Sequence, residues 1–184
     1  MTITKGKTLG YLAQHQDLES ARTIYEEILQ AKADIIRMES EIRLLEQEMM
    51  HAEGEKRSTK MEEYRRLNHE FEYQNGYAYQ SEIIGVLKGL GFTEDDFSKK
   101  CSALSGGQKT RVSLGKLLLT KPDLILLDEP TNHLDMNSIT WLEDYLRGYA
   151  GSVILVAHDR YFLDRIVTKV IEVEAGHITT FSGN

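Results

Sequence analysis

The sequence predicts an α/β fold in which a mostly parallel sheet is flanked by helices. Two strand candidates, 123–128 and 152–157, are nearly continuous apolar runs between polar ends, which is typical of strands buried on both faces of a parallel sheet. Segments with helical periodicity separate the strand candidates, and this alternation indicates a parallel α/β layer. Two further strand candidates, 169–174 and 177–181, are split at Ala175-Gly176 and predict a hairpin.

The remaining elements of the core follow from periodicity and from residues that stop helices. A first strand is predicted near 8–13. Gly89 and Gly91 end one predicted helix, and Pro122 requires another to stop before it. The predicted helices cover 19–31, 77–90, 106–120, 137–148 and 159–166.

Residues 32–76 have a different pattern, in which apolar residues alternate spacings of three and four between charged residues. Such spacing gives a narrow apolar seam along a helix. Gly54 and the polar run to Thr59 are predicted to interrupt the seam, and Asn75-Gly76 is predicted to end it. The pattern predicts an antiparallel hairpin, either packed on the core or projecting as an arm. The seam residues are Ile35, Met38, Ile42, Leu45 and Met49, then Met61, Tyr64, Leu67 and Phe71.

Composition restricts the class of function. The chain has 184 residues and a formal net charge of −7, which argues against a general nucleic-acid-binding surface but allows a local basic patch. Its single cysteine, Cys101, excludes a disulfide within the chain and fits a reducing, cytoplasmic compartment. No apolar run approaches the ~18 residues that cross a bilayer, so any membrane partner must supply the span.

Two acidic residues end the first buried strand. Asp128 and Glu129 follow the apolar run 124–127, and in open α/β sheets ligands bind at the carboxyl ends of the strands. Mg²⁺ prefers oxygen ligands, so Asp128 suits a magnesium ligand, directly or through water. Glu129 is then placed to orient and deprotonate an attacking water in phosphoryl transfer. The alternative is a pair of acids that only cap the next helix.

Ser105, Gly106, Gly107 and Gln108 introduce the predicted helix 106–120. Glycines at a helix N-terminus expose backbone N–H groups where the helix dipole favours an anion, and the Ser105 hydroxyl adds a donor. The stretch predicts a cap for a terminal phosphate. Taken alone, it fits an ordinary helix cap equally well.

Two more polar residues follow predicted strands, and one motif is misleading. A neutral His158 after strand 152–157 is placed to contact a terminal phosphate or an attacking water, and Gln14 after the first strand is a weaker signal. Gly6-Lys7-Thr8 matches the end of a phosphate-binding P-loop. The full motif needs glycine where Met1 stands and a helix after Thr8, so the P-loop interpretation is rejected.

In this order, the motif LSGGQ at 104–108, the strand ending in Asp128-Glu129 and a histidine after the next strand resemble the nucleotide-binding domain of ABC ATPases. DEPTNHLD at 128–135 and AHDRYFLD at 157–164 are similar to the ABC-F branch. The resemblance implies cytoplasmic proteins with two ATPase domains in one chain, ATP and Mg²⁺ as cofactors, and ribosome binding in translation or in antibiotic resistance. Further matching stretches are 71–76 and 87–92.

The resemblance implies a role for each matching residue. Gln14 corresponds to the Q-loop glutamine, which senses Mg²⁺ and the terminal phosphate. Residues 104–108 correspond to the signature, which caps ATP held by the opposite domain. Asp128-Glu129 correspond to the magnesium residue and the catalytic base, in that order. Asp135 matches the D-loop aspartate at the domain interface, and His158 matches the switch histidine.

The family's phosphate-wrapping loop has no counterpart in this sequence. That loop supplies most phosphate contacts, so we expect a part of a longer protein, from the Q-loop to the end of the first ATPase domain, that does not hydrolyse ATP alone. The loop's strand is central in the family, so we expect the sheet to be completed by association or strand swapping. The expected divisions are 1–31 (Q-loop strand and first helix), 32–76 (hairpin arm) and 77–184 (the catalytic remainder).

Three functions fit these observations. The first is part of an ABC-F ATPase that couples ATP binding and hydrolysis to ribosome binding. The second is a non-catalytic ribosome-binding arm, since basic residues gather at and after the tip of an otherwise acidic hairpin. The third is the ATP-binding subunit of a membrane transporter, which Asn132-His133 and the hairpin disfavour. The basic residues that predict RNA contact are Lys56, Arg57, Lys60, Arg65 and Arg66.

Overall fold

The computed structural model describes residues 6–12, 18, 20–174 and 176–182. Within this part of the chain, twelve strands and α-helices are joined by turns and short 3₁₀ segments. In chain order they are β1 (Leu9–Leu12), α1 (Ile24–Leu29), α2 (Ala33–His51), α3 (Gly54–Tyr73), α4 (Tyr79–Gly89), α5 (Gly106–Thr120), β2 (Leu124–Asp128), α6 (Met136–Arg147), β3 (Ser152–Val156), α7 (Arg160–Ile166), β4 (Lys169–Glu174) and β5 (His177–Ser182).

The first three strands form one parallel sheet in the order β1-β2-β3. Leu12 pairs with Leu127, and Asp128 pairs with Val156, so the carboxyl ends of all three strands lie at one edge. β4 and β5 form a separate antiparallel pair. The predicted α/β class, a mostly parallel sheet with flanking helices, is confirmed, and the sheet edge that carries Asp128 is the edge where such folds bind ligands.

The prediction that β3 is buried on both faces is wrong. Ile154 and Val156 are 56% and 60% exposed. In the described residues β3 pairs only with β2, and β4 pairs only with β5, so β3 is an edge strand. Val153 and Leu155 on the other face pack against the core, so β3 is covered on one face only in the described residues. An apolar run indicates a strand that tolerates burial, but the elements that cover each face are not specified by the local sequence.

The main core lies between the sheet and the helices α1, α4, α5, α6 and α7. Leu12 and Ile125 enter it from the sheet, and Phe162 is completely buried on α7. Such complete burial contributes about 1.5–3 kcal/mol for each large apolar side chain. The core therefore fixes the two helices, α5 and α6, that begin beside the candidate site. Its other fully buried members include Ile24, Ile28, Ile83, Leu87, Leu90, Val112, Leu118 and Leu142.

The helices α2 and α3 pack together over a small core of their own. Its buried members are seam residues, with Ile42 on α2 and Phe71 on α3 among them. The predicted break is too long, because only Ala52 and Glu53 separate the helices and α3 begins at Gly54. The run to Thr59 is helical because Glu, Lys and Arg are good helix formers. Gly54 takes the left-handed φ of +59° that the turn requires.

The first and fourth helices begin later than the sequence indicates. Thr23 caps α1 through a reciprocal pair of hydrogen bonds, in which its Oγ1 accepts from the Glu26 N–H and its own N–H donates to Glu26 Oε2. This capping box fixes the start at Ile24 instead of residue 19. A 3₁₀ turn at Gly76–Ala78 precedes α4, which begins at Tyr79 instead of residue 77.

Ion pairs tie the start of the hairpin to the core. Lys32 is 8% exposed, and its Nζ lies 2.7 Å from Glu82 Oε2, while Lys121 Nζ lies 3.0 Å from Glu82 Oε1. Burial raises the pKa of Glu82, but the hydrogen bonds from the two lysines outweigh it, and the pKa lies below its ordinary value. One carboxylate thus joins the root of the hairpin to α4 and to the end of α5.

Candidate functional site

The catalytic-type carboxylates stand where β2 ends. Asp128 is the last residue of the strand, and Glu129 follows it in the left-handed region with φ +47°. The Glu129 N–H donates to the Val156 carbonyl across 2.8 Å, so the bend after β2 is anchored to the end of β3. A non-glycine residue in this conformation costs about 1–3 kcal/mol, and such residues cluster at active sites.

Glu129 and His158 face each other across the ends of β2 and β3. Glu129 Oε1 lies 3.5 Å from His158 Nε2, and the His158 backbone N–H makes a long hydrogen bond of 3.4 Å to Oε2. The Glu129 side chain is 11% exposed, and its Oε1 is buried with no hydrogen-bond partner among the residues that the structure describes. A buried carboxylate oxygen in this state is costly and is typical of a catalytic group, because it is free to accept a proton or a hydrogen bond from a ligand.

The signature segment, 104–108, forms a helix cap and leaves donors free. Ser105 Oγ accepts from the Gln108 N–H at 3.3 Å, and Gln108 Oε1 accepts from the Ser105 N–H at 3.0 Å. The ordinary cap and the anion site are therefore compatible. The serine hydroxyl still has its hydrogen to donate, and helix geometry leaves the N–H groups of Gly106 and Gly107 without intrahelical partners.

The loop after Glu129 reaches the signature segment through a histidine. A Cβ added to Gly107 would lie 2.9 Å from His133 Cγ and 3.1 Å from its Nδ1, so the imidazole lies directly against that glycine. His133 itself has φ +68°. Sequence reasoning missed this contact, and the only signal for it was a ring-bearing residue close to Asp135. The structure thus places the signature segment next to the D-loop.

Asp135 caps α6 and lies beside the connection between α4 and α5. Its Oδ1 accepts from the Ser138 N–H at 2.8 Å, and this hydrogen bond is the main reason that the pKa of Asp135 is lowered, with a small contribution from Arg111. Gly91 has φ +79°, and a Cβ there would lie 3.1 Å from Arg111 Nη1 and 3.5 Å from Asp135 Oδ2. Arg111 Nη1 donates to the Leu90 carbonyl at 3.0 Å. One arginine on the signature helix therefore lies close to the D-loop aspartate.

The P-loop-like stretch lies at the other end of the sheet. Lys7 Nζ is 2.7 Å from Asp123 Oδ1, and the Thr8 N–H donates to Asp123 Oδ2 at 2.9 Å. Asp123 precedes β2, whereas Asp128 ends it, so Lys7 and Thr8 are far from the carboxylates along the strand. This placement supports the rejection of Gly6-Lys7-Thr8 as a phosphate loop.

The five basic residues predicted to contact RNA all lie on α3. Lys60 forms an ion pair with Glu48 across the hairpin and is only partly exposed. The other four are exposed, and none of them forms an ion pair within the described residues. The free basic surface is therefore made by Lys56, Arg57, Arg65 and Arg66.

The sequence also predicts a role for Gln14 and a Mg²⁺ site at Asp128. Gln14 lies outside the described residues, so its predicted role stays a prediction. No cluster of three or more His, Cys, Asp or Glu side chains suited to a metal is found in the part of the chain that the structure describes. Asp128 as a single protein ligand fits Mg²⁺, which usually keeps phosphate and water ligands beside one or two carboxylates.

Among the described residues, no helix has both the length and the apolar character that crossing a membrane requires.

A family model described as "ABC transporter" matches residues 2–132. Among individual proteins, the ATP-binding protein YdiF of Bacillus subtilis is 49% identical over 98% of this chain and 28% of its own length. The tylosin resistance ATP-binding protein TlrC of Streptomyces fradiae is 35% identical over 95% of this chain and 32% of its own. The energy-dependent translational throttle protein EttA of Mycobacterium tuberculosis is 35% identical over 99% and 32%. The chain thus spans about a third or less of these relatives.

Solved structures share the fold at low sequence identity. An archaeal ribosome recycling factor, aABCE1, in complex with the ribosomal stalk protein aP1, matches 97% of this chain and 28% of its own with a TM-score of 0.60 at 21% identity. The ATP-binding subunit of an ABC transporter matches 95% of this chain and 59% of its own with a TM-score of 0.62 at 17% identity. At these identities the likeness establishes the architecture of a nucleotide-binding domain and not a shared partner.

Proposed function

Since this chain belongs to the ABC ATPase family and is of the ABC-F type, we propose that it is part of an ATPase that couples ATP binding and hydrolysis to ribosome binding in the cytoplasm. The observation that carries the catalytic part of this proposal is the pair Glu129 and His158. Their side chains meet at the carboxyl end of the sheet, and Glu129 Oε1 is buried with no hydrogen-bond partner in the described part of the chain. A base that must accept a proton from water needs such a free oxygen.

The residues of this chain divide the chemical work. Glu129 accepts a hydrogen bond from the attacking water and orients it, while His158 contacts that water or the terminal phosphate. Asp128 holds Mg²⁺, directly or through water, and Gln14 contributes at the same place. When bound, Mg²⁺ neutralises charge on the phosphates of ATP. The contribution of the protein is mostly positioning, which suits the anchored, strained bend at Glu129.

A second ATPase domain of the same longer protein is the first proposed partner. The signature segment caps the terminal phosphate of the ATP that this second domain holds. Its donors are the free N–H groups of Gly106 and Gly107 and the Ser105 hydroxyl. Asp135 belongs to the same interface. The sequence has no GxxxxGK[ST] motif, and we infer that the 184-residue chain does not hydrolyse ATP alone. In the described residues β3 pairs with β2 alone, and this open edge supports completion of the sheet by another segment, or by a second copy when the chain is isolated.

The ribosome is the second proposed partner, through the hairpin 32–76. Two relatives carry names that refer to translational throttling and to tylosin resistance, and either role is compatible with a ribosome-bound ATPase. The four basic residues of α3 that form no ion pair within the described residues supply phosphate contacts on a hairpin that is otherwise acidic. The net charge of −7 then restricts RNA contact to this local patch.

The experiment is a comparison in the full-length protein that contains this chain. Glu129→Gln is expected to lower kcat by at least about a hundredfold while ATP binding persists, because the amide keeps the shape but cannot accept the proton. The variant should co-sediment with ribosomes in an ATP-dependent way. Glu172→Gln, on the exposed strand β4, is the matched control and should behave as the native protein. Hydrolysis at the native rate in Glu129→Gln would refute the catalytic assignment.

Two results separate the other functions. If Glu129→Gln and the native protein bind ribosomes equally with and without ATP, the chain is a carrier for a non-catalytic arm. If the full-length protein co-purifies with a membrane polypeptide and not with ribosomes, it serves a transporter. Calorimetry of the 184-residue chain with millimolar Mg-ATP tests the remaining inference, because clear one-to-one binding would contradict the absence of a phosphate-wrapping site.

A further inference from the structure

We propose that His133 is a positioning residue that holds the signature segment against the loop leaving the catalytic strand. This inference rests on the proposed function for its catalytic meaning, but its structural part stands on contacts within this chain. The ring of His133 fills the place that a side chain at position 107 would occupy. Position 107 therefore needs glycine because of the packing of His133 within this chain, in addition to the approach of a phosphate.

The contact is selective for one of the two signature glycines. A Cβ at Gly107 would lie 2.9 Å from His133 Cγ and 3.0 Å from His133 Cβ, which is closer than real Cβ contacts. A Cβ at Gly106, one residue earlier, would meet no atom within 4 Å. Both residues lie in the first turn of α5. The difference between them therefore isolates the effect of the histidine from the general effect of replacing glycine.

The loop that carries His133 contains two hydrogen-bonded turns. The Asn132 N–H donates to the Glu129 carbonyl at 3.2 Å, and the Leu134 N–H donates to the Thr131 carbonyl at 3.1 Å, so two turns follow one another. Glu129 and His133 both adopt the left-handed conformation. Two such residues in a short hydrogen-bonded loop leave few alternative backbone paths. Movement at Glu129 is consequently passed to the ring of His133.

Arg111, one helical turn after Gly107 on the same face of α5, contacts the connection between α4 and α5. Its guanidinium lies 4.7 Å from the centre of the Phe92 ring, and its Nη1 donates to the Leu90 carbonyl. Gly91, which separates these two residues, leaves room for Arg111 and Asp135 to approach each other. The signature helix is thus held near both His133 and Asp135, the last two polar residues of the loop.

The consequence is a link between two phosphate-handling edges of one domain. Glu129 acts on the nucleotide of its own domain, whereas Ser105 and the signature glycines cap the nucleotide of the opposite domain. A hydrogen-bonded loop that begins at Glu129 and touches Gly107 makes the position of one edge depend on the other. Coupling of this kind needs a defined physical connection, and the ring of His133 provides it.

The first test measures the contact without any nucleotide. In the 184-residue chain, Gly107→Ala should lower Tm by about 3–10 °C, because overpacking is forced against His133. Gly106→Ala should leave Tm unchanged or slightly raised. Adding His133→Ala should remove most of the loss caused by Gly107→Ala and should not change the effect of Gly106→Ala. Equal losses at 106 and 107, or a loss at 107 that His133→Ala does not relieve, would overturn the contact.

The second test measures its effect on catalysis in the full-length protein. His133→Asn suits the left-handed backbone but removes the ring, and it should lower kcat about tenfold while ATP affinity changes little. His133→Phe keeps a planar ring against Gly107 and should retain most of kcat. Equal losses in Asn and Phe would mean that the imidazole acts chemically, and full activity in Asn would mean that no ring is needed. Either result would overturn the proposal.

The two tests separate failure of the inference from failure of the proposed function. If the native full-length protein shows no ATPase activity, the proposed function fails, while the Tm cycle at positions 106, 107 and 133 still decides the structural part. If the isolated chain does not unfold cooperatively, the same double-mutant cycle is read from Tm of the full-length protein. There, adding His133→Ala should again relieve most of the loss of Tm caused by Gly107→Ala and should not change the effect of Gly106→Ala.

Discussion

The indole ring of Trp141 packs directly on Gly89, the last residue of α4. A Cβ at position 89 would lie 2.1 Å from Trp141 Cε2 and 2.2 Å from its Cδ2. This contact joins α4 to α6, the helix that the D-loop introduces. The Trp141 ring thus holds α6, which begins at the candidate site, against α4, and this packing requires a residue without a side chain at position 89.

Gly89→Ala is predicted to destabilise the fold by about 1–3 kcal/mol, because the added methyl group forces Trp141 out of its place. Gly85→Ala on the same helix is the matched control. A Cβ at position 85 would meet nothing within 4 Å, and replacing a mid-helix glycine by alanine stabilises by up to about 1 kcal/mol. Urea unfolding of the two variants should therefore move the midpoint in opposite directions. A shift of the same sign in both would contradict the packing argument.

Glu82→Gln is predicted to loosen the root of the hairpin. The neutral amide leaves Lys32, whose side chain is 10% exposed, without its charged partner, which should cost about 1–3 kcal/mol after discounting for partial exposure. Asp34→Asn breaks an exposed pair with Arg37 and serves as the control, with an expected loss below about 1 kcal/mol. Urea unfolding measures both changes. Equal losses would mean that burial of the Lys32 pair carries no energetic weight.

The extent of regular structure was largely predictable because it follows from local periodicity. The helix from Gly106 to Thr120 and the strand from Lys169 to Glu174 agree with the sequence-based limits. Local rules also explain the errors, since Thr23 delays α1 through its cap and charged helix formers extend α3 back to Gly54. The cap residue and the helix-forming residues are both visible in the sequence, and a polar run made of good helix formers does not interrupt a helix.

The parts that were not predictable depend on which residues meet in space. Ile154 is exposed because the face of β3 that it shares with Val156 is uncovered in the described residues, and no local pattern carries that information. The contacts of His133 with Gly107 and of Trp141 with Gly89 join residues that are distant in sequence. For the proposed catalytic residues Glu129 and His158, parallel strands were enough to predict that both lie at one edge of the sheet. Their 3.5 Å approach required the structure.

Asp123→Asn is predicted to reduce the loss of stability in acid. Hydrogen bonds from Lys7 and Thr8 lower the pKa of Asp123 from 3.8 to about 2. Because the native pKa lies below that of the unfolded chain, ionised Asp123 stabilises the fold above about pH 4, and this contribution is lost as the pH falls from about 4 to about 2. The variant should have a shallower decline of unfolding free energy in this window.

A second acidic residue contributes to the loss of stability in acid, and a third serves as the control. Asp96, whose pKa is also lowered to about 2, mainly by Lys99, loses its contribution over the same range, so the decline in Asp123→Asn should be reduced and not abolished. Asp95→Asn changes a neighbouring exposed acid whose side chain forms no hydrogen bond or ion pair within the described residues, and it should leave the profile unchanged. Identical profiles for Asp123→Asn and the native chain would show that Asp123 contributes no linkage between protonation and folding.

Reversing the charge of the free basic residues on α3 is predicted to weaken ribosome binding. The change replaces Lys56, Arg57, Arg65 and Arg66 by Glu and leaves Lys60, because Lys60 pairs with Glu48 within the hairpin. Affinity in the full-length protein should fall at least about tenfold at roughly 100 mM salt, and the slope of log affinity against log salt should become shallower by about 0.7–0.9 for each RNA phosphate that the variant no longer neutralises. The control for a general change of net charge is the reversal of three exposed basic residues outside the hairpin that form no ion pair within the described residues, Lys100, Arg160 and Lys169, which shifts the net charge by −6 against −8 for the test variant. If both variants weaken binding equally, the ribosome senses total charge and not the arm, and if neither does, the hairpin meets the ribosome through another surface.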